Sequence, residues 1–111
     1  MSRGLRSVKP SEAEFQSAVI AYAELQGWRV IHTPDSPYTK FIPKSARGFP
    51  DLLLMRGNTL MFRELKTEEG RLSSSQKAWM EWLLANGYDF ETWRPGDWRR
   101  IESQLAQHIP C

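Results

Sequence analysis

Gly48-Phe49-Pro50-Asp51-Leu52-Leu53-Leu54-Met55-Arg56-Gly57-Asn58-Thr59-Leu60-Met61-Phe62-Arg63-Glu64-Leu65-Lys66 is the stretch on which the reading of this chain turns. Leu52 to Met55 is a short apolar run that suits a strand buried on both faces. Gly57-Asn58 signals a tight turn, and Thr59 to Lys66 reads as the returning strand of a hairpin. Side chains alternate along a strand, so Leu60, Phe62, Glu64 and Lys66 share one face, while Met61, Arg63 and Leu65 share the other. A carboxylate and an ammonium on a largely apolar face are costly to bury without partners. Asp51, at the start of the adjacent strand, could supply one by sharing a cation with Glu64. Lys66 would then stand beside that ion rather than on it.

Asp51, Glu64 and Lys66 match the PD-(D/E)xK nuclease pattern, with Pro50-Asp51 as its first half and Glu64-Leu65-Lys66 as its second. The fuller set, Gly48-x-Pro50-Asp51, Glu64-x-Lys66, a serine-rich turn and Gln76, resembles the VRR-NUC branch, which includes small stand-alone nucleases of phage type similar to Holliday junction resolvases. The resemblance covers roughly residues 11 to 100. It implies a restriction-endonuclease-like core and hydrolysis of DNA phosphodiesters with a divalent cation, Mg²⁺ with Mn²⁺ as substitute. Asp51, Glu64 and the carbonyl of Leu65 are the implied metal ligands, joined by Glu12 directly or through water. Lys66 is implied to position or deprotonate the attacking water, and products with 5′-phosphate and 3′-hydroxyl ends are expected.

Length and composition fit that reading. The 111 residues suffice for one domain with one core, and 41% hydrophobic and 25% charged residues are ordinary for a globular protein. The domain is expected over 11–107, behind a basic arm over 1–10. The lone Cys111 excludes an internal disulfide and a cysteine-based zinc site, and it fits a reducing compartment. No apolar run approaches the roughly 18 residues needed to span a bilayer, and no signal peptide is visible, so a cytoplasmic protein is expected, phage-encoded or nucleoid-associated in a bacterial host.

Net charge is only +2, but its distribution is informative. Arg3, Arg6 and Lys9 form an arm with no acid among them, while Lys40, Lys44 and Arg47 lie in the loop leading into Gly48. Solvated surface is one reading of both. For the loop, phosphate contact is favoured, because cations tethered beside two acids offset their repulsion of a phosphate. The same loop, 33–47, interleaves Tyr38 and Phe41 with prolines; these rings could stack bases or tuck against the core.

A first helix is expected over 11–26, with Ser11 as N-cap, Glu14 completing a capping box, and Phe15, Ala18, Val19, Tyr22 and Leu25 as its buried stripe. The resemblance calls for one more acid here. Glu12 lies about 60° to one side of Phe15 and Glu14 about 100° to the other. Since capping accounts for Glu14, Glu12 is chosen, with Gln16 one turn further along; an ordinary first-turn acid is the competing reading. Trp28–His32 reads as a short strand whose terminal histidine is more simply structural than a ligand or base.

Beyond Lys66, a second helix starts at one of Ser73 to Ser75 and runs to Gly87, with Ala78, Trp79, Trp82, Leu83 and Leu84 as its apolar face. Gln76 invites two readings that compete for one side chain: partner of Ser73 in a capping box, or a donor pointing back to the site. Tyr88–Trp93 alternates as a strand, and Pro95-Gly96-Asp97 opens a last helix with Trp98, Ile101 and Leu105 inward. Helix, three strands, helix, strand and helix together predict an α/β fold, a single mixed sheet flanked by helices.

The function expected is a structure-selective endonuclease acting on Holliday junction or flap DNA, as a homodimer because symmetrical cuts need two sites on a twofold axis. The alternative is a catalytically inactive nucleic-acid-binding module of the same fold. A binder, however, has no need of two carboxylates facing phosphate. A third reading makes the spacing coincidental, in an interaction or toxin-like domain.

Overall fold

The computed structural model describes residues 9–33 and 46–106. Its elements are α1 (Glu12–Leu25), β1 (Arg29–His32), β2 (Leu52–Arg56), β3 (Thr59–Leu65), α2 (Ser74–Ala85), β4 (Asp89–Trp93), a 3₁₀ turn (Pro95–Asp97) and α3 (Trp98–Leu105). The strands form one mixed sheet in the order β1-β2-β3-β4, antiparallel except for the parallel β3–β4 pair. This is the α/β architecture expected from the order of elements. The parallel pair requires a crossover, and α2 provides it.

The sheet has helices on both faces. On one, Phe15, Val19 and Ala23 of α1 and Ile101 and Leu105 of α3 pack against Leu52, Leu54, Met61, Leu65 and Trp93. On the other, Leu83 of α2 joins Phe62 and Phe90, with Phe49, Leu53, Trp79 and Met80 around them. β2 is thus fully buried on one face and half-buried on the other, less enclosed than its apolar run suggests.

Both long helices start as their sequences indicate. Ser11 with Glu14, and Ser73 with Gln76, form complete capping boxes. Their buried faces differ from expectation. In α1 the core line is Phe15, Val19 and Ala23, while Ala18 is exposed and Leu25 is 77% exposed. In α2 only Leu83 is fully buried, and Ala78, Trp82 and Leu84 face outward. The physical reason is the width of the contact. Each helix crosses the sheet along a narrow i, i+4 line, and apolar residues at the stripe's edge fall outside it. Trp93 is fully buried and Trp98 half-buried against the same core, as expected. Among the described residues no helix is long and apolar enough to cross a membrane.

Candidate active site

The register that pairs Leu52 with Arg63 places Asp51 across from Glu64, on the sheet face that α2 covers. Each residue of the preceding motif has a part in this. Gly48 has φ +82°, and a Cβ there would meet the carbonyl carbon of Ser75 at 2.4 Å and the amide nitrogen of Gln76 at 2.7 Å. Only glycine allows the chain to lie this close to the start of α2. Phe49 then wedges edge-on against Trp79 and Phe62, at 5.0 and 6.1 Å between ring centroids. Pro50 is buried, and the main chain of Asp51 is held by the Thr33 amide, which donates to its carbonyl at 2.9 Å. The Asp51 carboxylate in turn accepts from the Leu65 amide at 2.8 Å, tying the two strands together at the site.

Glu64 is 2% exposed. Burial first, and then the neighbouring Asp51 carboxylate through charge and hydrogen bonding, push its pKa up to about 8; Lys66 opposes the shift and Glu12 adds to it. Its neutral partner is Gln76, whose Nε2 donates to Glu64 Oε2 at 2.8 Å. The same amide's Oε1 accepts from the Ser73 backbone at 2.8 Å. The two readings of Gln76 are therefore not exclusive: one end of the amide caps α2 and the other holds Glu64. A primary amide has an acceptor and donors at opposite corners, which is why one side chain does both.

Glu14 is occupied by the capping box, donating nothing to the site and accepting from the Ser11 amide at 2.8 Å. Glu12 is exposed, and its charge reaches Glu64. Gln16, one turn on, is hydrogen-bonded to the ring of His32 at the end of β1, which gives that histidine a local partner. Lys66 is half-buried just past β3, and its amide donates to the Trp93 carbonyl at 3.0 Å. Arg47 is exposed immediately before Gly48. Lys40, Lys44, Tyr38 and Phe41 lie outside the described residues, as do Arg3 and Arg6, whereas Lys9 of the arm pairs with Glu69 at 3.1 Å across exposed surface.

The donor set fits a hard divalent cation. Two carboxylates face one another, with the Leu65 carbonyl next in sequence after Glu64, and oxygen donors of this kind suit Mg²⁺ or Mn²⁺. Burial, and then the neighbouring Asp51 carboxylate, raise the pKa of Glu64, which leaves the pair short of positive charge. Among the described residues no group of three or more His, Cys, Asp or Glu side chains is arranged to hold a metal ion.

An α/β sheet carrying paired carboxylates and a lysine at one end of a hairpin defines a nuclease-type domain. The sequence matches the family model described as VRR-NUC domain over residues 32–95, more than half of the chain, and the protein belongs to that family. It is thereby a nuclease-family domain, with DNA as the substrate class that membership implies. Among solved structures it is similar to a protein titled "VRR_NUC domain protein", with 21% identity and a TM-score of 0.66 over 88% of this chain and 89% of that one, a likeness of fold. Comparison with curated proteins yields no match.

Proposed function

We propose that this chain is a Mg²⁺-dependent endodeoxyribonuclease that hydrolyses phosphodiesters in branched DNA. The observation that carries the reading is the facing Asp51–Glu64 pair, with Glu64 buried and held by Gln76. Asp51, Glu64 and the Leu65 carbonyl would hold the ion. When bound, the cation supplies Lewis acidity toward water and neutralises charge on the transition state. Gln76 fixes the rotamer of Glu64, so that the carboxylate is presented without reorganisation. Lys66 orients the attacking water or takes its proton, and Glu12 acts through water from the start of α1. Arg47, with Lys40 and Lys44 of the same loop, contacts backbone phosphates.

A homodimer is part of the proposal. Trp82 at 54% exposure, Leu84 at 53% and Tyr88 at 44% leave large apolar groups on the outer side of α2 and the start of β4. Trp82 and Tyr88 stack on one another at 6.1 Å, so the two rings form one continuous exposed patch. The protein is proposed to be cytoplasmic.

Labelled four-way junction, flap, linear duplex and single strand, each incubated with Mg²⁺, Mn²⁺ or a chelator, test the reading. Cleavage of junction or flap with either metal, leaving 5′-phosphate ends, and none with chelator is expected. Junction binding with no cleavage in any metal would instead favour the inactive binding module. Light scattering with and without junction distinguishes a dimer from a monomer.

A further inference from the structure

We propose that Arg94 is a positioning residue for Lys66, acting through the turn formed by residues 67–70. The inference rests on the nuclease reading of Lys66 and adds a residue that touches neither metal nor DNA.

Lys66 is the last residue that the sheet holds, through its amide on the Trp93 carbonyl. Beyond it the chain turns through Thr67, Glu68, Glu69 and Gly70, closed by the Gly70 amide donating to the Thr67 carbonyl at 3.2 Å. That single bond is a weak constraint for a surface turn with two adjacent acids. Arg94, the residue after Trp93, supplies the rest. Its Nη1 donates to the carbonyls of Thr67 at 2.6 Å, Gly70 at 2.7 Å and Glu68 at 3.2 Å. Hydrogen bonds from a charged donor are stronger than neutral ones, and here one guanidinium nitrogen gathers three carbonyls of the turn, of which only that of Thr67 also accepts the turn's own bond. The Glu68 carboxylate closes the clamp from the other side by accepting from the Gly96 amide.

Arg94 is itself anchored. Its amide donates to the Asp97 carboxylate at 2.9 Å, and the Asp97 amide returns to the Arg94 carbonyl at 2.8 Å. Asp97 also pairs with Arg100 at 3.5 Å. The clamp is thus mounted on the start of α3, and among the described residues no carboxylate forms an ion pair with Arg94.

The turn reaches Lys66 through Gly70. A Cβ on Gly70 would lie 3.0 Å from Thr67 Oγ1 and 3.4 Å from Lys66 Cδ. The folded turn therefore stands beside the methylene stem of Lys66 and forms a wall on that side. A lysine stem has four rotatable bonds, and a wall on one side restricts the arc its ammonium can sweep. Misplacing a reacting group by about 1 Å can cost about 100-fold in rate.

Two measurements test this. Hydrogen exchange at the amides of residues 66–70, read by mass spectrometry in metal-free buffer, should quicken about tenfold or more in Arg94→Ala and less in Arg94→Lys. Single-turnover cleavage of junction DNA with Mg²⁺ should slow by about 10- to 100-fold in Arg94→Ala, with junction affinity in Ca²⁺ changed less than about threefold. The double variant with Lys66→Ala should be no slower than Lys66→Ala alone, since both act through one group. Should Arg94→Ala not fold, Gly70→Ala probes the same wall by crowding it, with the same expected dependence on Lys66. Unchanged exchange, or rate losses for Arg94 and Lys66 that multiply, would overturn the proposal. Faster exchange in a protein whose wild type cleaves no DNA would support the clamp and remove the catalytic reading of Lys66 instead.

Discussion

Glu64 and Arg63 are consecutive residues of β3, both almost fully buried, and the fold treats them in opposite ways. Arg63, 1% exposed, points to the α1–α3 side. There its guanidinium meets the Asp89 carboxylate and carbonyl at 3.0 Å each, the Phe62 carbonyl at 2.9 Å, Gln104 at 3.1 Å and Glu91 at 3.9 Å, over the Trp93 ring. Only its Nε lacks a partner. Glu64 points to the α2 side, where it has one neutral donor and faces another acid. A buried charge answered from every direction is structural. One left short of countercharge is poised for an ion from outside, and that contrast locates the site.

The largest way to sharpen the contrast is to remove the three charged groups of the site. Asp51→Asn, Glu64→Gln and Lys66→Ala should each fold and lose roughly 10²–10⁴-fold of cleavage with Mg²⁺. A wild-type rate in any of them removes that residue from the machinery. Arg63→Ala should do the reverse: lose about 3 kcal/mol in urea unfolding, at the low end for a broken buried pair because Asp89 is half-exposed, yet cleave normally per folded molecule. Smaller again is Gly48→Ala, whose Cβ must push the start of α2 away from Glu64. A loss of about 1–3 kcal/mol together with slowed cleavage is expected, and an unchanged rate would show that Gln76 does not depend on this close approach.

The pH dependence follows from the same pair. Native Glu64 keeps its proton up to about pH 8, while an unfolded glutamate releases it near 4.5. Between those values the native state binds more protons, so the stability of metal-free protein should fall as pH rises. Glu64→Gln should flatten that slope, as should excess Mg²⁺. Melting temperatures across this range, with and without the ion, provide the check. The smallest effect separates the acids of α1: Glu14→Gln should weaken the cap by about 0.5–2 kcal/mol, whereas Glu12→Gln should slow turnover more than it lowers stability.

Much of this was legible in the chain itself, and the exceptions share a cause. The hairpin, the order of elements and both capping boxes are local, encoded by turn residues and short spacings. That Asp51 faces Glu64 was legible because strand alternation and one tight turn determine who faces whom. What escaped depends on contacts between distant segments. The compact line of Phe15, Val19 and Ala23 emerges only once the helix lies on the sheet. Nothing near Gly48 announces that α2 passes within a Cβ of it, though its place two residues before Pro50-Asp51 was a usable signal. The two-ended role of Gln76 needs both Ser73 and Glu64 in view. Arg63 reads as one more alternating residue, and nothing beside Arg94 in the sequence points to the 67–70 turn. Long polar side chains reach so far that sequence neighbours do not reveal their partners.

The central claim is that Glu64 gives up its proton to accept a divalent ion beside Asp51. Calorimetric titration of the free protein with Mn²⁺ at pH 7, repeated in buffers of different ionisation enthalpy, counts the protons released on binding. The account predicts about one proton per ion for the wild type and close to none for Glu64→Gln. Binding without proton release, or the same release from both proteins, would contradict it.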